Sequence, residues 1–432
     1  MKVAIVGAGL AGMTAALALA RAGRQVTVFE AEPLAGGLAS GFRDERWAWP
    51  LERFYHHIFQ TDTAIINLAQ SIGCADHLFF RSQITAQWWQ GCGYDLNGPL
   101  QVLRFPALPL VDRVRFGAVA FYLKYVTRNW QRLEQSTAAA WTARYAGQQV
   151  YTTLWRPLLE GKFGPYADEV NMAWLWARLR ARSFKLGYFQ GGFQAFCERL
   201  LAAIRQQGVE VCLNCPISHV QQHADGGWTV QMPGQGTASF DQLLVTGAPS
   251  LLQRLVPQLP PAYLGQLAQL RSMGAVVVTL ALTQPLTGGL YWINMPKDQF
   301  PYLALVEHTN FIEAQHYGGD HLIYLGDYLE PEHEFFTLSK EQLLARFLPS
   351  LQRVNPAFSP HWVRASWLHR ERYAQPIVPV GHSRNIPPLR TPLPGLYWAS
   401  MSQVYPWDRG TNFAVEIGQR VAGKMLGEPS SP

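Results

Sequence analysis

The chain begins "MKVAIVGAGLAGMTAALALARAGRQVTVFEAEPLAGGLAS" (residues 1–40), and the reading of this stretch decides the fold. Lys2-Val3-Ala4-Ile5-Val6 is short, apolar and partly β-branched, the composition of a strand buried on both faces of a parallel sheet. Gly7, Gly9 and Gly12 follow as G-x-G-x-x-G. That spacing suits a strand-to-helix turn: the first glycine permits the bend, the second lets backbone approach a pyrophosphate, and the third lets helix pack on strand. The Ala- and Leu-rich run from Leu10 to Ala22 predicts a helix stopped by Gly23. Its N-terminus, with Leu10 and Ala11 in the first turn, offers free N–H groups and a positive dipole end to phosphate. Gln25–Phe29 reads as a second strand, ending at Glu30, where a carboxylate accepts both hydroxyl protons of a ribose and disfavours a 2′-phosphate.

The continuation "EAEPLAGGLAS" (residues 30–40) separates FAD from NAD. An NAD domain needs no second glycine pair just after the ribose acid. An extended FAD needs a second close backbone approach near its pyrophosphate and ribityl chain, and Gly36 and Gly37 supply it. On these residues the chain resembles the superfamily of flavin amine oxidases, protoporphyrinogen oxidases and phytoene desaturases, whose members read acid, a few residues, then Gly-Gly. Where those families usually carry a basic residue beside the glycine pair, Ala35 and Leu38 stand here.

The resemblance implies a split FAD-binding Rossmann-like domain with a parallel sheet, joined to a substrate domain of mixed or antiparallel sheet and a helical insertion. It extends in sequence order over nearly the whole chain and is strongest at the two ends. The FAD domain is expected over 1–60, 189–250 and 373–427. The helical part of the substrate domain is expected over 61–188, its sheet part over 251–372, and a disordered tail over 428–432. The implied FAD contacts are Gly7, Gly9, Leu10, Ala11 and Gly12, then Glu30 and Ala31, then Gly36, Gly37 and Leu38. Pro216 and Ile217, followed by Thr246, Gly247 and Ala248, would lie under the adenine half. "YWASMSQVYPWDRGTNFAVEIGQRVAGKMLG" resembles the superfamily's last FAD motif, with Arg409, Gly410, Thr411 and Asn412 at the flavin. There a helix N-terminus would stabilise the negative charge of reduced flavin. The family acid expected just after the strand in this motif is replaced by Ser400 and Met401, with Asp408 and Arg409 nearby. The family's covalent attachment cysteine lies near the C-terminus, whereas the last cysteine here is Cys215, so FAD is expected to be noncovalent.

Composition narrows the class. At 432 residues the chain exceeds one compact core, so two domains or a split arrangement are expected. The 15 Trp, 17 Tyr and 22 Phe suit a greasy ligand and a large core equally. Five cysteines, an odd number, point to a reducing compartment, and Cys212 and Cys215 lack the second pair of a zinc site. No leader precedes the first strand and no uncharged run reaches bilayer length, which predicts a cytoplasmic protein, soluble or membrane-peripheral. No metal cluster, catalytic Ser-His-Asp order or Walker loop stands out.

Charge is uneven. Residues 101–206 hold 15 Lys or Arg against 6 Asp or Glu, so that segment carries +9 of a formal net +6 and the remainder −3. Residues 105–130 mix Leu, Val, Phe and Tyr with Arg113, Arg115, Lys124 and Arg128. Two readings stand: contact with an anionic membrane surface or a lipid-like substrate, or a helix whose basic face is simply wet. Nucleic acid is excluded by the want of a recognition motif beside the charge.

Seven side chains are candidates for the chemistry. His56 and His57 in "WPLERFYHHIF" fall where related enzymes run past the flavin, and the His-x-Phe ending is similar to the histidine loop of galactopyranose mutases. Lys162 in "EGKFG" and, more weakly, Lys297 in "NMPKDQF" are placed as the lysine that holds a water at flavin N5 in amine oxidases, or are solvated loop lysines. Arg156 in "LWRPLLEGKFG" has apolar neighbours, which suggests a buried ion pair or an anionic substrate group. His308 and Tyr405 line the cavity or pack in the core.

The implied function is hydride transfer from a hydrophobic or amphipathic substrate, at a C–H or C–N centre, to flavin N5. The alternatives are a redox-neutral isomerase or mutase acting on a sugar nucleotide or polyene, and a non-catalytic flavoprotein.

Overall fold

The computed structural model describes residues 1–224, 226–234 and 236–428; most of the expected tail lies outside the described residues. The opening stretch forms the strand Lys2–Val6, the helix Leu10–Arg21 and the strand Gln25–Phe29. These enter a five-stranded parallel sheet ordered Glu210–Cys212, Gln25–Phe29, Lys2–Val6, Gln242–Thr246, Leu396–Ala399. Strands from three distant parts of the chain thus share one sheet, and residues 3–6 pair in register with 242–245. Val3, Ala4, Ile5 and Leu244 are fully buried, as a sheet covered on both faces requires. The helices Leu10–Arg21, Gly192–Gln206 and Thr411–Leu426 pack over one face of this sheet and cover Tyr397 and Ala399, while Trp398 is buried on the opposite face with Leu252 and Leu255.

A seven-stranded mixed sheet makes the second layer, in the order Val363–Pro376, Ser272–Leu282, His321–Leu329, Ala304–Glu307, Trp292–Asn294, Thr85–Trp89, Cys92–Asp95. Its neighbours run antiparallel except where Trp292–Asn294 pairs parallel with Thr85–Trp89. Ser272–Leu282 is buried over ten of its eleven residues, because one face meets the site-lining side chains and the other packs on the helix Lys340–Val354. That helix starts with a capping box in which Ser339 and Gln342 exchange hydrogen bonds.

The segment 61–188 is less helical than its sequence suggests. It holds the strands Leu78–Ser82, Thr85–Trp89, Cys92–Asp95 and Lys185–Phe189, two of which complete the seven-stranded sheet. The apolar stretch "VEVCLNCPISHV" (residues 209–220) feeds two strands in different sheets, Glu210–Cys212 and His219–Gln222. Asn214, at φ 52°, turns the chain between them. The helices of this region include Leu110–Phe121, Arg156–Phe163 and Met172–Ala181. Among the described residues no helix is long and apolar enough to cross a membrane.

Candidate functional site

The two glycine turns meet. Gly36 donates its N–H to the Ala8 carbonyl at 2.9 Å, and Gly9 and Gly36 form a parallel bridge. A Cβ on Gly37 would sit 3.2 Å from Gly9 Cα, and one on Gly12 only 2.0 Å from the Gly7 carbonyl oxygen. Both positions therefore demand glycine for close approach. The helix Leu10–Arg21 begins at Gly9 with no side chain capping it, so its first N–H groups remain available. Leu10 is buried and Ala11 half-buried in that first turn.

Glu30 accepts the Ala8 N–H at 2.7 Å through Oε2 and the Glu32 N–H at 3.0 Å through Oε1. Its carboxylate is thereby fixed at the sheet edge beside exposed Ala31. Cys215 donates its N–H to the Glu30 carbonyl at 2.7 Å, which sets Pro216 and Ile217 next to that acid. Thr246 donates its hydroxyl to the Val6 carbonyl at 2.9 Å, and Gly247 donates its N–H to Ala399 at 3.2 Å. Residues 246–248 thus close the opposite side of the first turn. Leu38 lies in the short 3-10 turn Gly37–Ala39.

These residues fit FAD. Two glycine turns in backbone contact, an uncapped helix N-terminus and an anchored acid form a cradle whose first turn a Cβ at Gly12 would force open, since it would strike the Gly7 carbonyl oxygen. A second uncapped helix N-terminus, at Gly410 before Thr411–Leu426, is the other anion-favouring end. Asn412 turns its side chain away from it, its Oδ1 accepting the Ile65 N–H at 3.1 Å. In the place of the missing family acid, the Ser400 hydroxyl lies 2.6 Å from the Tyr373 hydroxyl and caps its own turn.

Immediately before Gly410, several elements converge. Asp408 and Arg409 come from the preceding loop, and Tyr55, His56 and His57 from the loop after the second glycine turn. Lys162 comes from Arg156–Phe163, Arg178 and Arg182 from the end of Met172–Ala181, Tyr328 from His321–Leu329, and Gln375 from Val363–Pro376. Arg178 Nη1 lies 3.5 Å from Asp408 Oδ2, and Gln375 donates to Asp408 Oδ1 at 3.0 Å. Lys162, 6% exposed, donates to Gln375 Oε1 at 3.4 Å and its Nζ stands 4.5 Å from the Tyr328 ring centre. Arg409 donates to the Tyr328 hydroxyl. Tyr55 packs edge-on against Trp292, ring centres 4.9 Å apart.

The electrostatics follow from this crowding. Burial pushes the Lys162 ammonium well below the usual lysine range, and Arg178 and Arg409 push the same way against Asp408. Burial lowers Arg182 to about 10, with Arg178 adding to the shift. Burial works against the Asp408 carboxylate, but Lys162, Arg409 and Arg178 together hold it below the usual range. Burial lowers His56 to about 4, although its Nδ1 lies 2.5 Å from the Phe54 carbonyl. Burial, then Arg182, lowers His57 to about 3. Both imidazoles are therefore neutral at pH 7.

Of the seven candidates from sequence, three gather here: His56, His57 and Lys162. Lys162 is not on a loop but in the last turn of a helix, which buries it. Arg156 is corrected. Its side chain is 57% exposed and pairs with Glu160 at 2.7 Å, because the spacing i, i+4 puts both on the outer face while Leu159, Lys162 and Phe163 face inward. His308 is a core residue, its Nε2 2.8 Å from the Tyr317 hydroxyl. Tyr405 packs among Trp130 and His382, and its hydroxyl accepts from Asn171 at 3.1 Å. Lys297 pairs with buried Asp327 at 2.6 Å. Sequence reasoning missed Arg178 and Arg182. Their i, i+4 spacing in line with Trp174, which Arg180 does not share, was the available signal.

Three comparisons bear on this arrangement. The model of the family described as flavin containing amine oxidoreductase matches residues 10–426. A Mycobacterium tuberculosis protein provisionally named flavin-containing monoamine oxidase AofH is 25% identical over 280 residues, 61% of each chain; the chain thus spans about three fifths of that curated relative's length. Among solved structures, a provisionally named protoporphyrinogen oxidase from Exiguobacterium sp. 255-15 superposes with a TM-score of 0.76 at 18% identity, covering 99% of both chains. A reduced UDP-galactopyranose mutase superposes with 0.75 at 15% identity, covering 99% of this chain and 95% of that one. At these identities the structures speak for the fold.

Proposed function

The chain belongs to the flavin containing amine oxidoreductase family and is an FAD-dependent oxidoreductase; from that premise we propose that it removes hydride from a hydrophobic or amphipathic substrate at a C–H or C–N centre. The observation that carries this reading is the convergence of Tyr55, His56, His57, Lys162, Tyr328 and Arg409 just ahead of the Thr411–Leu426 helix. FAD, when bound, supplies the hydride acceptor. The protein's part is to bind, orient and exclude water. The paired glycine turns and Glu30 would hold the dinucleotide. The aromatic rings of Tyr55, Trp292 and Tyr328 form an apolar wall, and the neutral imidazoles add no fixed charge to it. Lys162, its ammonium form disfavoured by burial, is the group best placed to hold or move a proton.

The surface also suggests where such a substrate comes from. No residue of the helix Leu110–Phe121 is buried. Leu110, Val111, Val114, Phe121, Tyr122, Tyr125 and Val126 are all exposed, a stripe at helical spacing turned outward instead of inward. Arg104, Arg115 and Arg128 are exposed around it. Apolar side chains ringed by cations match the interface of an anionic bilayer, so the reading places this face on a membrane surface.

Anaerobic titration of the flavin-loaded protein with amphipathic amines, polyenes and porphyrinogens tests the reaction class. Bleaching of the flavin in step with oxidised product is the expected result. Turnover that needs pre-reduced flavin yet consumes no reductant would replace it with the isomerase or mutase reading.

A further inference from the structure

The site is overloaded with positive charge. Lys162 is buried, Arg178, Arg182 and Arg409 are half-buried around it, and Asp408 is the carboxylate shared by all but Arg182. Buried cations are ordinarily paired, because an uncompensated one forfeits its hydration. Here the pairing is incomplete among the described residues. Arg182 makes no ion pair, and its only charged neighbour named above is the like-charged Arg178. Arg409 Nε is buried without a hydrogen-bond partner, as is His57 Nδ1 on the facing loop. Arg409 and Arg178 do have neutral or anionic contacts, Tyr328 and Asp408, but these leave several guanidinium N–H groups unused. By contrast, Lys297 and Asp327 on the adjoining strand form a closed pair at 2.6 Å.

We infer that the missing counter-charge is the substrate's: the site takes an amphipathic molecule bearing a carboxylate or phosphate, held by Arg178, Arg182 and Arg409. This rests on the reading of the side-chain cluster before Gly410 as the substrate site of a flavoenzyme. Guanidinium groups suit the role, since their planar donor forks match both oxyanions in paired hydrogen bonds. The position of Arg182 adds direction. It stands two residues before exposed Phe184, which lines a cavity of 280 Å³ with Ser82, Gln83, Ile84, Asp95 and Asn97. Lys124, from the apolar outer stripe, donates to the Arg182 carbonyl at 2.6 Å and lies 5.7 Å from the Phe184 ring centre. The anion-binding end and the apolar outer face thus adjoin through Arg182–Phe184, as an amphipathic ligand requires.

The test is calorimetric titration of the flavin-loaded protein with octanoate, octyl phosphate, octylammonium and octanol, followed also by the flavin difference spectrum. One or both anions should bind, and octylammonium and octanol should bind at least about 30-fold more weakly, the usual scale for losing a buried charge partner. Arg182→Met should lose about 30-fold for the anion while leaving octanol affinity and the flavin midpoint potential unchanged. Arg182→Lys should retain most of the anion affinity, which separates lost charge from lost folding. Octylammonium binding as tightly as octanoate, or neither anion binding, would overturn the inference. So would an Arg182→Met protein with normal anion affinity and a lowered potential, which would assign the cations to reduced flavin. A preparation that takes up no FAD would defeat the flavoenzyme reading instead, and calorimetry on that same chain would still report the anion preference.

Discussion

Glu52 shows how one buried residue links fold and pH. It is 1% exposed, accepts the Tyr188 hydroxyl at 2.8 Å and the Phe193 N–H at 2.7 Å, and its carbonyl accepts from Tyr324 at 2.8 Å. Burial raises its carboxyl to about 7, against the pull of those donors. The folded state therefore keeps a proton that the unfolded state releases near its ordinary value of 4.5. Between those two values the folded state binds more protons, so stability falls as pH rises from about 4.5 to about 7 and is level beyond. The full change is about 3 kcal/mol. Glu52→Gln should remove that slope in urea melts taken across the window; an unchanged slope would place the titration elsewhere. In the sequence Glu52 was invisible as a special group, because nothing local marks a carboxyl held by Tyr188 and Phe193, far along the chain. Gly12 was the opposite case: the close approach it permits depends on Gly7, five residues away, and was legible from spacing alone.

Elements were legible where a local rule governs them and obscure where packing decides. The strand Lys2–Val6, the helix Leu10–Arg21 and the helix Thr411–Leu426 follow from apolar runs, glycine stops and turn chemistry. Leu78–Ser82, Thr85–Trp89 and Cys92–Asp95 were lost because their aromatic, mixed patterns acquire meaning only beside partner strands at 185–189 and 292–294. Arg156 and Lys162 exchanged roles for a related reason: apolar neighbours in sequence do not say which face of a helix turns inward. The outward apolar stripe of Leu110–Phe121 is the element with the plainest consequence. The protein should co-sediment with phosphatidylcholine vesicles containing phosphatidylglycerol, and less with phosphatidylcholine alone. Val114→Asp with Phe121→Asp should abolish binding while leaving thermal stability within about 0.5 kcal/mol, since both side chains are already exposed. Equal binding by the double variant would refute a membrane role, and a shift from dimer to monomer would assign the stripe to a second copy.

For the whole molecule, three separated stretches supply one parallel sheet and the intervening chain supplies a second sheet and a helical layer. The cofactor cradle forms where the stretches meet at the sheet edge, and the cationic site forms where both layers face the loop before Thr411. The cradle could be read from sequence because it is backbone geometry written in glycines. The cationic site could not, because it draws Lys162, Arg178, Tyr328 and Arg409 from four elements whose proximity only the assembled layers create. The central claim is that the glycine cradle holds FAD without a covalent bond, and one measurement meets it directly. The purified protein is incubated with excess FAD, freed of unbound cofactor, and its absorbance recorded before and after heat denaturation, beside Gly12→Ala. The wild-type chain should release about one FAD with no flavin left on the precipitate, and Gly12→Ala should retain essentially none. A wild-type protein that carries no flavin after this treatment would contradict the account.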